Sequence, residues 1–253
     1  MSGALGPWRG ATALVTGASS GIGRAIALRL AREGMNVVGC ARREAALEAL
    51  ARERPAEGGE IVPFVADLRD EEQILRMFRA VRERFGGVGV LVNNAGLGRH
   101  APLASGATAD WREMLEVNVL ALCVCAREAL RDMRARGDRG HVVHVSSMAG
   151  HRVPEGSGVY AATKHAVRAL TEALRLELRE AASAVRVSSV SPGYVETEFA
   201  VHYHRSEEAA RRTYGRYRCL QPEDIADAVA WLIGQPAHVE VHDVLLRPTE
   251  QRH

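Results

Sequence analysis

Seven short, nearly all-apolar runs, separated by longer segments of helical period, constrain this chain more than any other feature. The runs are "ATALVT" (11–16), "NVVGCA" (36–41), "IVPFV" (61–65), "VGVLVNN" (88–94), "HVVHVS" (141–146), "VRVSSVS" (185–191) and "DVLLR" (243–247). A strand with one wet face alternates apolar and polar residues, whereas near-continuous apolarity marks strands covered on both faces. Between them, "GRAIALRLARE" (23–33) and "TADWREMLEVNVLALCVCAREALRDM" (108–133) carry the periodicity of helices. Alternation repeated this often predicts an α/β fold: one doubly wound parallel sheet of about seven strands, helices on both faces, a single domain over residues 1–253. Residues 196–220 break the pattern. They hold no strand signal, are rich in His, Tyr and Arg, and are expected to form a partly helical excursion over the sheet's carboxyl edge, a substrate lid.

The first run leads directly into "TGASSGIGRAIA" (16–27), with glycines at 17, 21 and 23. A glycine-rich turn placed after a strand and opening a helix is the context a dinucleotide site requires, so the expected architecture is of Rossmann type. Glycines allow the tight turn and close backbone approach, and the helix N-terminus offers N–H groups to a pyrophosphate. Gly17, Ser19, Ser20, Gly21, Ile22 and Gly23 are the candidate contacts. Dinucleotide folds commonly place an acid roughly 20 residues further on, for the ribose 2′-hydroxyl. Here Ala41 stands at that point and Arg42 and Arg43 follow. Guanidinium groups pair bidentately with phosphate, so the pattern favours NADP(H) over NAD(H). "ADL" (66–68) and "NNAG" (93–96) fall at strand ends, adding Asp67, Leu68, Asn94, Ala95 and Gly96 to the candidate cofactor site.

Composition removes several other classes. Hydrophobic residues make up 47% and charged residues 25%, and the net charge of +2 is spread over helices that interleave arginine with acids. Such a surface gives no basis for a nucleic-acid partner. Cys40, Cys123, Cys125 and Cys219 lack metal-ligand spacing, so no metal is expected, and scattered thiols suit a reducing compartment. The N-terminus has no basic start followed by a long apolar run, so no signal peptide is expected. The longest apolar stretch, "VNVLALCVCA" (117–126), falls short of the ~20 residues that span a bilayer. A cytoplasmic protein without a membrane span is the expectation.

Among 33 basic residues, Lys164 is the sole lysine, and it follows Tyr160 by four positions in "GVYAATKHAVRAL" (158–170). "TGASSGIG", "NNAG", "EVNVLA", "VSSMAG", "YAATK" and "SPGYVET" occur in an order and spacing that resemble the short-chain dehydrogenase/reductase family across nearly the whole chain. The resemblance implies Tyr160 as acid/base, Lys164 as its partner, Ser147 as binder of the carbonyl oxygen and Asn118 as relay residue. It also implies that Pro192, Gly193, Val195 and Thr197 join the cofactor site, that Tyr160 and Lys164 contact the cofactor, and that the protein forms a homodimer or homotetramer.

Elementary chemistry supports the catalytic set independently. Residues four apart on a helix share one face. A free tyrosine titrates near ~10, and a neighbouring ammonium is expected to lower that value and favour tyrosinate. The phenol could then protonate a ketone oxygen, or take the proton back from an alcohol, while Ser147 donates to the same oxygen. A compact ammonium can contact ribose hydroxyls and a water where a planar guanidinium would do so poorly. Further segments, "GHRV" (150–153), "ALTEALRLELRE" (169–180) and "CLQPEDIADAV" (219–229), resemble a branch of the family that reduces 17-keto and 3-keto steroids and other carbonyls with NADPH. Insect relatives of that branch act on farnesol. An NADP-dependent alcohol dehydrogenase or another ketoreductase, and a non-catalytic NADP(H)-binding regulator, are the alternatives.

Overall fold

The structure, a computed structural model, describes residues 5–252; residues 1–4 and 253, the ends of the expected domain, lie outside the described residues. All seven expected runs form strands: β1 Thr12–Thr16, β2 Asn36–Ala41, β3 Ile61–Val65, β4 Val90–Asn93, β5 His141–Val145, β6 Arg186–Pro192 and β7 Asp243–Leu246. They pair in parallel in the order β3-β2-β1-β4-β5-β6-β7, a doubly wound sheet in a single domain. The order reverses between β1 and β4, and ligands in such sheets bind beyond the strand carboxyl ends at that point.

The pleat sorts each central strand between two cores. Ala13, Val15, Val90, Val92, Val143 and Val145 face the core shared with α1 (Gly21–Arg32), α2 (Glu44–Arg52) and α9 (Pro222–Ile233). Leu14, Leu91 and Val142, one residue out of step, face the other core with α3 (Glu71–Phe85), α5 (Ala121–Ala135) and α6 (Gly158–Glu180). A fully buried Leu or Val contributes about 1.5–3 kcal/mol over its exposed state, so both faces require an apolar side chain at nearly every position. The edge strands β3 and β7 are only partly covered, and polar exceptions inside the sheet, His141, His144, Arg186, Ser188, Ser189 and Ser191, lie buried on β5 and β6.

The long helical segment expected over 108–133 is interrupted. α4 (Thr108–Leu115) passes into a π-helical turn, Glu116–Leu120, before α5 begins. Helix α3 begins at Asp70, whose carboxylate accepts from the Glu72 and Gln73 amides, and ends at Gly86 in the left-handed region, φ 75°. The expected excursion contains α7 (Phe199–His204) and α8 (Glu207–Tyr214), which lie beyond the carboxyl end of β6. Among the described residues, no helix is long and apolar enough to cross a membrane.

Candidate active site

A cleft of about 1480 Å³ opens at the carboxyl ends of the strands, and its first half is the turn after β1. The turn is locked to the loop after β4. Thr16 Oγ1 accepts from the amides of Asn94 and Ala95, both at 3.0 Å, and Asn94 Nδ2 donates to Thr16 O at 2.8 Å. A Cβ on Gly23 would lie 2.3 Å from Gly17 O, so only glycine lets α1 start this close beneath the turn. No side chain caps α1; the Ser20 hydroxyl at its N-cap instead accepts from Arg43 Nη2 at 2.6 Å. The helix thus presents its first-turn amides to the cleft as an anion site.

Arg42 and Arg43 leave the end of β2 at the rim of this half. Arg43 folds back across the turn to Ser19 Oγ and Ser20 Oγ. Asp67 and Leu68, after β3, line the same rim. Arg69 hydrogen-bonds the Asp67 carboxyl at 2.5 Å and holds it below the usual range.

The other half of the cleft carries the proton-transfer candidates. Ser147 follows β5 and caps a short 3-10 turn: its Oγ accepts from Ala149 N at 3.1 Å, which leaves its O–H free to donate. It borders the cleft together with Tyr160, which opens α6, and its hydroxyl favours the phenolate there. One turn below, Lys164 Nζ donates to Val145 O at 2.9 Å and lies 5.9 Å from the centre of the Tyr160 ring. Burial draws Lys164 down to about 8, and among the described residues no carboxylate pairs with it. The expected lowering of Tyr160 does not hold. Burial pushes the phenol up to about 12, with the Ser147 hydroxyl acting the other way. Desolvation of the phenol outweighs the ammonium 5.9 Å from the ring centre.

Asn118, in the π-helical turn, does not line the cleft. Its Oδ1 accepts from Leu97 N and its Nδ2 donates to Leu97 O, both at 2.8 Å, while Nδ2 also reaches Thr163 Oγ1 at 3.0 Å. The side-chain amide is fully committed and fixes the loop after Gly96 to the start of α6. A Cβ on Gly96 would lie 3.4 Å from both Asn118 Oδ1 and Lys164 Nζ, so both side chains border that glycine.

Helix α7 covers Tyr160. Phe199 packs on its ring at 5.4 Å between centroids, Tyr203 meets it edge-on at 6.3 Å, and Tyr203 donates to Gly156 O at 3.0 Å. Gly98 makes this approach possible, since a Cβ there would fall 2.7 Å from both the Phe199 and Tyr203 rings. Arg99 ties the same loop to α7 through His202 O and to α4 through Glu113.

Every residue assigned to the cofactor from sequence borders this one cleft: the turn 17 and 19–23, the two arginines, Asp67 and Leu68, 94–96, Tyr160, Lys164, and Pro192, Gly193, Val195 and Thr197 after β6. Uncapped amides, serine hydroxyls and guanidinium groups at one end, and a buried ammonium beside a phenol at the other, fit a phosphate-bearing nicotinamide dinucleotide. Glu198, Phe199 and Gly98 escaped the sequence reading. Phe199 could have been found from its place beside Thr197; the other two act through contacts with residues far away in the chain.

Residues 11–208 match the family model described as short chain dehydrogenase. Dehydrogenase/reductase SDR family member 11 of Bos taurus is 51% identical over 250 residues, covering 96% of this chain and 98% of that protein. Farnesol dehydrogenase of Aedes aegypti is 42% identical, covering 97% and 98%. The closed form of serine dehydrogenase complexed with NADP+ superposes with a TM-score of 0.90 at 33% identity, covering 96% of each chain. A short-chain dehydrogenase/reductase from Burkholderia phymatum in complex with NAD gives 0.84 at 31%, covering 94% of this chain and 89% of that one. With a family model over most of its length and relatives this similar along nearly the whole chain, this chain belongs to the short-chain dehydrogenase/reductase family and is an oxidoreductase.

Proposed function

We propose that this protein reduces ketones to secondary alcohols with NADPH, its substrates being 17-keto and 3-keto steroids and other carbonyl compounds. The observation that carries the reading is Ser147, Tyr160 and the buried Lys164 ammonium gathered in one cleft, whose nucleotide end carries two arginines in place of an acid. A nicotinamide dinucleotide bound along the cleft supplies the hydride. The chain's own residues then manage one oxygen and one proton. Ser147, held by Ala149 N, donates to the carbonyl oxygen as charge develops there. Tyr160 is protonated throughout the physiological range and delivers its proton to that oxygen. Lys164 places its positive charge under the phenol as the phenolate forms, with its position set by Val145 O. Leu97, Val153, Phe199 and Tyr203 give the substrate end an apolar and aromatic wall suited to a ring ketone. Family resemblance adds a homodimer or homotetramer, and half-exposed Leu115, Leu120 and Leu176 lie on the two long helical segments expected to form the contacts.

A second reading, oxidation of a prenyl alcohol, draws on the identity to farnesol dehydrogenase. It uses the same residues in reverse. Purified protein assayed with NADPH and NADH against steroid 17- and 3-ketones, alicyclic ketones and dicarbonyls, and with NADP+ against farnesol, separates the readings. Ketone-dependent NADPH oxidation is expected, with kcat/KM for NADH about tenfold lower or less, the scale of a lost bidentate charge contact. Equal or faster turnover with NADH would overturn the cofactor preference, farnesol oxidation alone would favour the second reading, and no turnover with any substrate would leave a non-catalytic binder. Gly98→Ala should lower kcat/KM on the order of 10- to 100-fold, because its Cβ drives Phe199 and Tyr203 off Tyr160. Thermal melting should scarcely move, since the displaced rings belong to α7 rather than to either core.

A further inference from the structure

The groups gathered around Arg43 include one that NADP(H) recognition does not call for. Arg43 Nη2 lies 2.9 Å from Glu198 Oε2 and Nη1 lies 3.3 Å from Glu198 Oε1, a two-point contact with the residue that caps α7. The same guanidinium donates to Ser19 and Ser20, and the Ser20 hydroxyl joins Arg43 in favouring the ionised Glu198 carboxylate. An internal carboxylate therefore rests on the arginine and serine donors that a phosphate at this rim would use. Arg43 holds it well below the usual carboxyl range, so the carboxylate stays ionised at neutral pH. The His202 imidazole Nε2 lies 3.9 Å from the same carboxylate.

We propose that Glu198 is a specificity-determining residue for the cofactor: its carboxylate competes with the 2′-phosphate of NADP(H) for Arg43 and so narrows the preference for NADPH over NADH. The proposal rests on the NADP(H) reading above. The physical asymmetry is simple. A ribose 2′-hydroxyl is neutral and leaves the Arg43–Glu198 pair intact. A 2′-phosphate brings like charge beside the carboxylate and must share or take its partner. Both side chains are about half exposed, 50% and 51%, so the pair is screened by solvent and can be displaced. Glu198 directly precedes Phe199, whose ring rests on Tyr160, so the competition is settled at the end of the helix that covers the phenol.

Fluorescence titration with NADPH, NADH and adenosine 2′,5′-bisphosphate tests this on the parent, Glu198→Gln, Arg43→Ala and the double variant. Glu198→Gln should tighten NADPH and adenosine 2′,5′-bisphosphate by about three- to fivefold and leave NADH within about twofold, the scale of one screened ion pair. In the Arg43→Ala background the gain for NADPH and adenosine 2′,5′-bisphosphate should shrink to within about twofold, the remainder being screened like-charge repulsion, and NADH should not change. Unchanged or weaker NADPH binding by Glu198→Gln, or an equal gain for NADH, overturns the proposal. Failure of the underlying reading is distinguishable, because it shows before Glu198 is touched: the parent would bind NADH as tightly as NADPH, and Arg43→Ala would change neither. Melting curves with matching midpoints establish that the variants are folded.

Discussion

Tyr160→Phe should reduce kcat for ketone reduction on the order of 10³-fold or more, the scale of a lost positioned general acid, while NADPH still binds. The substitution removes one oxygen and keeps the ring, so Phe199 and Tyr203 retain their partner at 5.4 and 6.3 Å. Ser147 loses a neighbour but keeps its bond from Ala149 N, so the oxygen-binding hydroxyl stays in place. What disappears is the only phenol held against both Ser147 and Lys164 among the described residues. Fluorescence titration should give an NADPH Kd within about threefold of the parent, since one lost hydrogen bond is worth roughly 1 kcal/mol or less at a solvated site. Stopped-flow mixing with NADPH and ketone measures the chemical step directly. A variant that turns over at the parental rate would remove Tyr160 from the mechanism and move attention to Ser147.

Much of this site can be read along the chain because it is built from local patterns. Glycines 17, 21 and 23 stand between a strand and a helix, and Tyr160 and Lys164 share a helix face by spacing alone. The strands announce themselves because both faces of the central sheet are buried, which demands apolar residues without alternation. What escaped depends on three-dimensional juxtaposition. Glu198 meets Arg43 across 155 residues, and no local rule pairs them. Gly98 looks like any loop glycine until the rings of α7 are laid over it. The direction of the Tyr160 shift is hidden from the sequence for the same reason: spacing reports that an ammonium is near, but burial of the phenol decides which effect dominates. The family resemblance alone singles out Asn118 in the sequence, whereas its bonds to Leu97 and Thr163 belong to the fold.

Lys164→Arg should lower kcat/KM by about 10²-fold, comparable to losing one preorganised charged donor in an active site, and should also change the pH profile. Nζ donates to Val145 O at 2.9 Å and borders Gly96. A guanidinium is broader and carries five donors, whereas among the described residues Val145 O is the acceptor that the ammonium has. The sign of the pH effect follows from burial. Lys164 is drawn from 10.5 to about 8, so its charge is present below about pH 8 and lost as pH rises through that value. Tyr160, pushed up to about 12, remains protonated over the same range and contributes no limb of its own. The parent's kcat/KM for reduction, which reports the free enzyme, should therefore fall as pH rises through about 8. In Lys164→Arg the guanidinium keeps its charge to above about pH 12, so that falling limb should vanish while the overall rate stays low. Rate profiles from pH 6 to 10 (about four units, enough to bracket an amine drawn down by burial) decide the matter. A parental profile flat through pH 8, or a variant that keeps the same limb, would show that the sole lysine does not supply the charge on which turnover depends.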